Sequence, residues 1–231
     1  HMLRIFKPRS PMSVGSWGLV FFGGFATISV FLQAARDGLF DWFQPFAWLG
    51  RAGRGTLWAK PFEAVGAWFG LFMGGYTGVL ISNTAVPLWA RNYKTNGPVF
   101  LSSALATAAA AVSLLLALTG RAPHASERKL AIVQGGATWA EGALLAYELH
   151  HLGPLREPLT KGKSAPFFYL SALCGLVLPT LIGIPTHRGL KIIKALLTLA
   201  GGFLLRAALV LGGKESGQDP QAYFWFTDPR R

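Results

Sequence analysis

The sequence is short of charge: 14 % of its 231 residues are Asp, Glu, Lys or Arg, against about 25 % in an ordinary soluble domain. It is shorter still of acid, with 10 Asp and Glu against 22 Lys and Arg. A single cysteine excludes a disulfide framework, a Cys-rich zinc module and a cysteine-ligated iron–sulfur cluster. The histidines are His1, His124, His150, His151 and His187, and none falls in the middle of an apolar run. A membrane b-type haem wants two axial histidines on facing helices, so the chain reads as haem-free. No paired histidines with a carboxylate stand at zinc-ligand spacing, and no Gly-rich segment is followed by Lys and Ser/Thr as in a phosphate loop. The segment SVGSW at 13–17 lacks the spacing of a nucleophile elbow.

What the chain has instead is apolar length. Hydrophobic residues make up 52 % and the mean hydropathy is +0.38, which excludes disorder and makes a lipid bilayer the natural solvent. A helix needs about 20 mostly apolar residues to cross the hydrocarbon core. Six stretches qualify, at 13–34, 62–90, 99–119, 130–149, 166–185 and 190–213. The expected fold is therefore an all-α, polytopic transmembrane helical bundle, a single transmembrane domain over 1–231. The segment 35–61, with Trp42, Trp48 and Trp58, reads as an interfacial loop, or equally as a loop packed on neighbouring helices or a partner subunit. Residues 214–231 read as a tail. The fifth stretch contains Pro179 and is expected to kink there.

The net charge of +12 does not point to nucleic acid. The basic residues cluster between the apolar runs, as membrane-flanking loops do. Both sets of alternate loops are basic, so the bias assigns no orientation.

Two features stand out within the spans. In the second, Gly66, Gly70, Gly74 and Gly78 recur every four residues, lining one helix face with almost no side chain. Close helix packing is the simplest reading of such a row. Beyond it come Tyr76, Ser82 and Asn83, polar groups that are expensive in a membrane unless paired or used. They could donate hydrogen bonds to the carbonyls of a flat aromatic ligand. In the fourth span, Glu141 and Glu148 lie seven residues apart, on one face and about 10 Å from each other. Glu141 is the deeper. Ionisable groups inside spans typify proton relays, so Glu141 is the candidate for proton transfer; a salt bridge to Arg206 is the structural alternative.

Three stretches carry a family resemblance. Residues 1–17, HMLRIFKPRSPMSVGSW, form a basic stretch ending in S-P-M-S-V-G-S-W, residues 75–91 read GYTGVLISNTAVPLWAR, and the run Leu204–Gln218 contains Arg206 and GGKESGQ. Together they resemble the NrfD-like family, the membrane subunits of polysulfide reductases, with relatives in alternative complex III. The resemblance implies a quinone-interacting subunit of the prokaryotic cytoplasmic (inner) membrane, without haem or metal of its own. It also implies electron exchange with a ferredoxin-like iron–sulfur subunit, often joined to a molybdopterin catalytic subunit. The quinone, menaquinone or ubiquinone, would be bound with Tyr76 as a carbonyl donor. In the family the S-P-M-S-x-G-x-W motif opens the third of eight or more spans, so two spans of that fold are expected to be missing here. Two other readings remain at this stage: a secondary transporter, for which broken spans and buried carboxylates are ordinary, and a structural membrane anchor that binds no quinone. Quinone retained on purification favours the first reading, and intact partners without quinone favour the anchor.

Overall fold

The computed structural model describes residues 6–38, 59–120 and 124–227. Among these the secondary structure is helical throughout. The expected interfacial loop falls largely at 39–58, outside the described residues. In order the helices are α1 (Pro11–Arg36), α2 (Ala59–Ser82), α3 (Pro87–Arg91), α4 (Asn96–Thr119) and α5 (His124–Leu152). After a 3-10 turn at Gly153–Arg156 come α6 (Glu157–Thr160), α7 (Ala165–Ser171), a π-helical segment (Ala172–Val177), α8 (Leu178–Ile182), α9 (Arg188–Gln218) and α10 (Pro220–Thr227). The expected tail is thus helical: α9 runs on to Gln218 and α10 follows it.

Helix ends obey local chemistry. Pro11 sits in the first turn of α1, after an extended Ser10, where its missing N–H costs nothing. Gly120 closes α4 in the left-handed region, with its N–H donating to Leu116 O, as only glycine does cheaply. Pro179 produces more than the expected kink. It lacks an N–H for the carbonyl of Gly175 and its ring crowds that carbonyl, and the turn just before it widens into the π segment. Such segments relieve a local fault in the helical ladder.

The chain divides into two compact units, 1–74 and 75–231. In the first, α1 meets the opening two-thirds of α2 through aromatic rings. Phe69 stacks on Phe21 at 5.3 Å and on Phe25 at 6.0 Å between centroids. Gly66 lies against the Phe25 side chain and Gly70 against the Phe22 ring. The first two members of the glycine row therefore seat phenylalanines of α1.

The second unit is an up-down-up-down bundle of α4, α5, the α7–π–α8 segment and α9, with α9 central. At one end, where α9 begins, Arg188 donates to Leu118 O at 2.8 Å and Lys191 pairs with Glu127 at 2.8 Å. The opposite end holds α3, α6, α10 and the last turns of α2. The apolar core lies there, around Leu88, Val99, Phe100, Leu152, Leu155 and Leu209.

Glycines on α9 set the spacing of this bundle. A Cβ on Gly201 would run into the backbone of Cys174 and Gly175, one on Gly202 into the Thr107 methyl, and one on Gly213 into the Trp89 indole. That indole instead donates to Leu209 O at 2.9 Å. In a bilayer helices gain little hydrophobic energy from associating, so close van der Waals approach over small residues is what holds them.

Among the described residues, five helices are long and apolar enough to cross a membrane: Pro11–Ala35, Lys60–Ser82, Asn96–Thr119, Ala165–Ile182 and Arg188–Gln218. The helix α5 is not among them, for a reason visible in its packing. Its inward face, Gln134, Thr138, Glu141, Leu145, Glu148 and Leu152, is largely polar. Its outward face carries Ile132, Val133, Trp139 and Tyr147, all exposed. Polarity is inverted relative to a helix in water.

Candidate buried polar site

Three polar groupings occupy the interior of the second unit. The first joins the end of α2 to the start of α4. Gly78 lies under the Asn96 backbone and Gly75 under the Gly97 carbonyl, so the missing side chains at these two positions let α2 and α4 approach closely. Asn96, 2 % exposed, donates through Nδ2 to Ser82 Oγ at 2.9 Å and to Trp89 O at 3.0 Å. Ser82 in turn donates to Gly78 O at 2.7 Å. The amide of Asn83 is exposed and donates to Val79 O at 2.7 Å. Tyr76 is half-buried. It shares a helix face with Asn83, one helical step aside from the face that meets α4. Seven residues separate the two, about 10 Å along the axis, which is wider than one quinone ring. Ser82 is therefore engaged in the α2–α4 contact, while Tyr76 and Asn83 line a neighbouring stripe.

Sequence reading overlooked Asn96, whose signal is the Asn92–Asn96 pair at i, i+4 just before an apolar run. Replacing Asn96 with alanine should leave Trp89 O without its side-chain donor and lower stability by about 1–3 kcal/mol. Thermal unfolding of the detergent-solubilised protein measures this.

The second grouping surrounds Glu141, 6 % exposed. Its carboxyl faces Ser103 of α4 and lies in the field of Arg206 of α9. Arg206 donates to Gly202 O at 3.0 Å, and among the described residues no ion pair within 4 Å joins it to Glu141. The void beside them, bounded by Phe100, Leu205 and Leu209, is too small for a water molecule. Two helix turns toward the bundle end lies Glu148, 3 % exposed and facing Thr95. Among the described residues its Oε1, which is buried, has no hydrogen-bond partner, and neither has Oδ1 of Asn92. Close by, Arg91 lies over the Trp225 ring at 5.6 Å. Burying carboxyl oxygens unpaired costs free energy, and groups kept at that cost inside a membrane bundle are candidates for function.

The third grouping lies toward the other end. Gln134 Nε2 donates to Thr198 Oγ1 at 2.8 Å, Thr198 donates to Lys194 O at 3.0 Å, and Lys194 Nζ donates to Gly183 O. Nothing in the span pattern had marked Lys194, which is 7 % exposed.

Of the described histidines, His150 and His151 end α5 and His187 precedes α9, at opposite ends of the bundle. Among the described residues no three His, Cys, Asp or Glu side chains gather as metal ligands would.

Long apolar helices, an inverted fourth long helix and a polar interior define a polytopic helical membrane protein. Over residues 1–215 the chain matches the family described as "Polysulphide reductase, NrfD", and it belongs to that family. No curated protein matches it.

Proposed function

We propose that this chain is the quinone- or quinol-interacting membrane subunit of an oxidoreductase complex, exchanging electrons with an iron–sulfur partner subunit and, through it, with a molybdopterin catalytic subunit. In this reading α5 is a sixth span and the protein resides in a prokaryotic cytoplasmic membrane. The observation that carries the reading is the pair of buried carboxylates on one face of α5, inside a bundle that belongs to a family of membrane reductase subunits.

The chemistry sets what such a subunit must do. Oxidation of a quinol yields two electrons and two protons, and reduction of a quinone consumes them. Electrons pass between the quinone and the partner subunit. Protons must cross apolar protein, and only ionisable side chains or water carry them there. Glu148 and Glu141 stand at successive depths, about 10 Å apart, leading from the bundle end into its interior. The ring is placed on the Tyr76 side of α2, with the phenol donating to one carbonyl. Asn83 stands two helical turns nearer the membrane edge, and Ser82 supports the same segment through Asn96.

A Tyr76→Phe variant tests this placement. It keeps the ring and removes the donor, so affinity for a quinone-analogue inhibitor should fall by about 1–3 kcal/mol. Quinol-linked turnover should fall with it, while the thermal midpoint stays near the parent's. Unchanged inhibitor affinity and turnover would remove Tyr76 from the site. Complete absence of quinone from a purified complex with intact partner subunits would favour a structural anchor.

A further inference from the structure

The helix α8 stops short. It ends at Gly183, whose φ of +63° turns the chain away, while α5 and α9 extend further toward their own end of the bundle. The space that α8 leaves uncovered is a cavity of about 370 Å³ lined by Glu127, Arg128, Gln134, Lys191 and Lys194. It shares Gln134 and Lys194 with a second cavity of about 210 Å³. That one shares Thr138 and Trp139 with a third, of about 500 Å³, which reaches Ala143 and Leu181. The three form one groove along α5, basic at its mouth and apolar along its floor.

The charges at the mouth are unbalanced. Glu127 is committed to Lys191 at 2.8 Å. Arg128 has no carboxylate partner among the described residues. Lys194 is buried, and among the described residues only one of its three ammonium N–H groups finds an acceptor, Gly183 O. Two cationic groups thus remain to be matched at one rim. From Gln134 to Ala143 is nine residues, about 14 Å of helix, close to one leaflet of a hydrocarbon core about 30 Å thick. Trp139 and Leu181, 70 % and 77 % exposed, flank that length.

We propose that this groove binds one anionic glycerophospholipid, its phosphate between Arg128 and Lys194 and one acyl chain lying beside Trp139 and Leu181. Charge complementarity selects an acidic headgroup, since a zwitterionic one brings its own cation to an already basic rim. The one-leaflet length selects an acyl chain. Occupancy fills the space beneath the truncated α8 and joins it to α5 and α9.

The test is titration of the purified, delipidated protein with dioleoyl phosphatidylglycerol in detergent, read as the thermal midpoint, with dioleoyl phosphatidylcholine and inorganic phosphate in parallel. Phosphatidylglycerol should raise the midpoint and the other two should not. Apparent affinity should weaken roughly fivefold in Arg128→Gln and roughly 25-fold in Arg128→Gln with Lys194→Gln. Arg128 is exposed, so the single variant reads the site even if the double variant fails to fold. A tail-brominated phosphatidylglycerol should quench the fluorescence contributed by Trp139, the difference between the parent and Trp139→Phe. Equal response to phosphatidylcholine, an equal midpoint shift with inorganic phosphate alone, unchanged affinity in Arg128→Gln, or no quenching assignable to Trp139 would each overturn the proposal.

Discussion

Replacing Gly201 with valine is expected to prevent the second unit from assembling, the largest structural effect foreseen for a single substitution here. The added Cβ meets not a movable side chain but the backbone of Cys174 and Gly175. Overpacking a site where neighbours can shift costs about 1–3 kcal/mol, and here neither backbone can yield without separating α9 from the π segment. Loss is expected at or above the top of that range. It should appear as a collapse in membrane yield and, for whatever protein is recovered, a sharply lower thermal midpoint. Gly136→Ala is the control: a Cβ there meets nothing within 4 Å among the described residues, and alanine is the better helix former by roughly 0.8–1 kcal/mol. Wild-type yield from Gly201→Val would show that the two helices are not in backbone contact in the membrane.

The second large effect is on chemistry. Glu141→Gln keeps the shape of the side chain and a group able to bond Ser103, so the fold should survive with its thermal midpoint close to the parent's. What glutamine cannot do is take up and release a proton. If Glu141 relays protons to or from the quinone, quinol-linked turnover should drop about a hundredfold, the lower bound for removing a positioned acid–base group. Electron transfer from an artificial donor to the partner subunit, which needs no quinone, should be unaffected. Glu148→Gln should reduce turnover as well, because Glu148, at 3 % exposure, is buried like Glu141. A Glu141→Gln variant with parental turnover but a depressed thermal midpoint would make the residue structural, a neutraliser of Arg206.

The membrane class and the helical fold were legible in the sequence because both follow from composition and run length. A segment such as 99–119 has no other way to satisfy its backbone in a bilayer than to form a helix. The S-P-M-S-V-G-S-W and GYTGVLISNTAVPLWAR stretches carried the family as well. Glu141 could be singled out because an acid inside an apolar run is conspicuous whatever surrounds it.

Partners were another matter. The sequence showed Ser82 as one polar group among several, and only the packing of α2 on α4 engaged it with Asn96. The glycine row on α2 was visible by its period, whereas Gly201 and Gly213 on α9 follow no such repeat. Their importance comes from the backbone of Gly175 and the indole of Trp89 lying opposite. Lys194 read as one of several basic residues near a span's start, until the early end of α8 at Gly183 buried it and opened a groove beside it. Periodicity and composition are properties of one helix and are fixed by covalent order. Which face meets which neighbour depends on distances between segments far apart in the chain, and those are decided only when the helices pack.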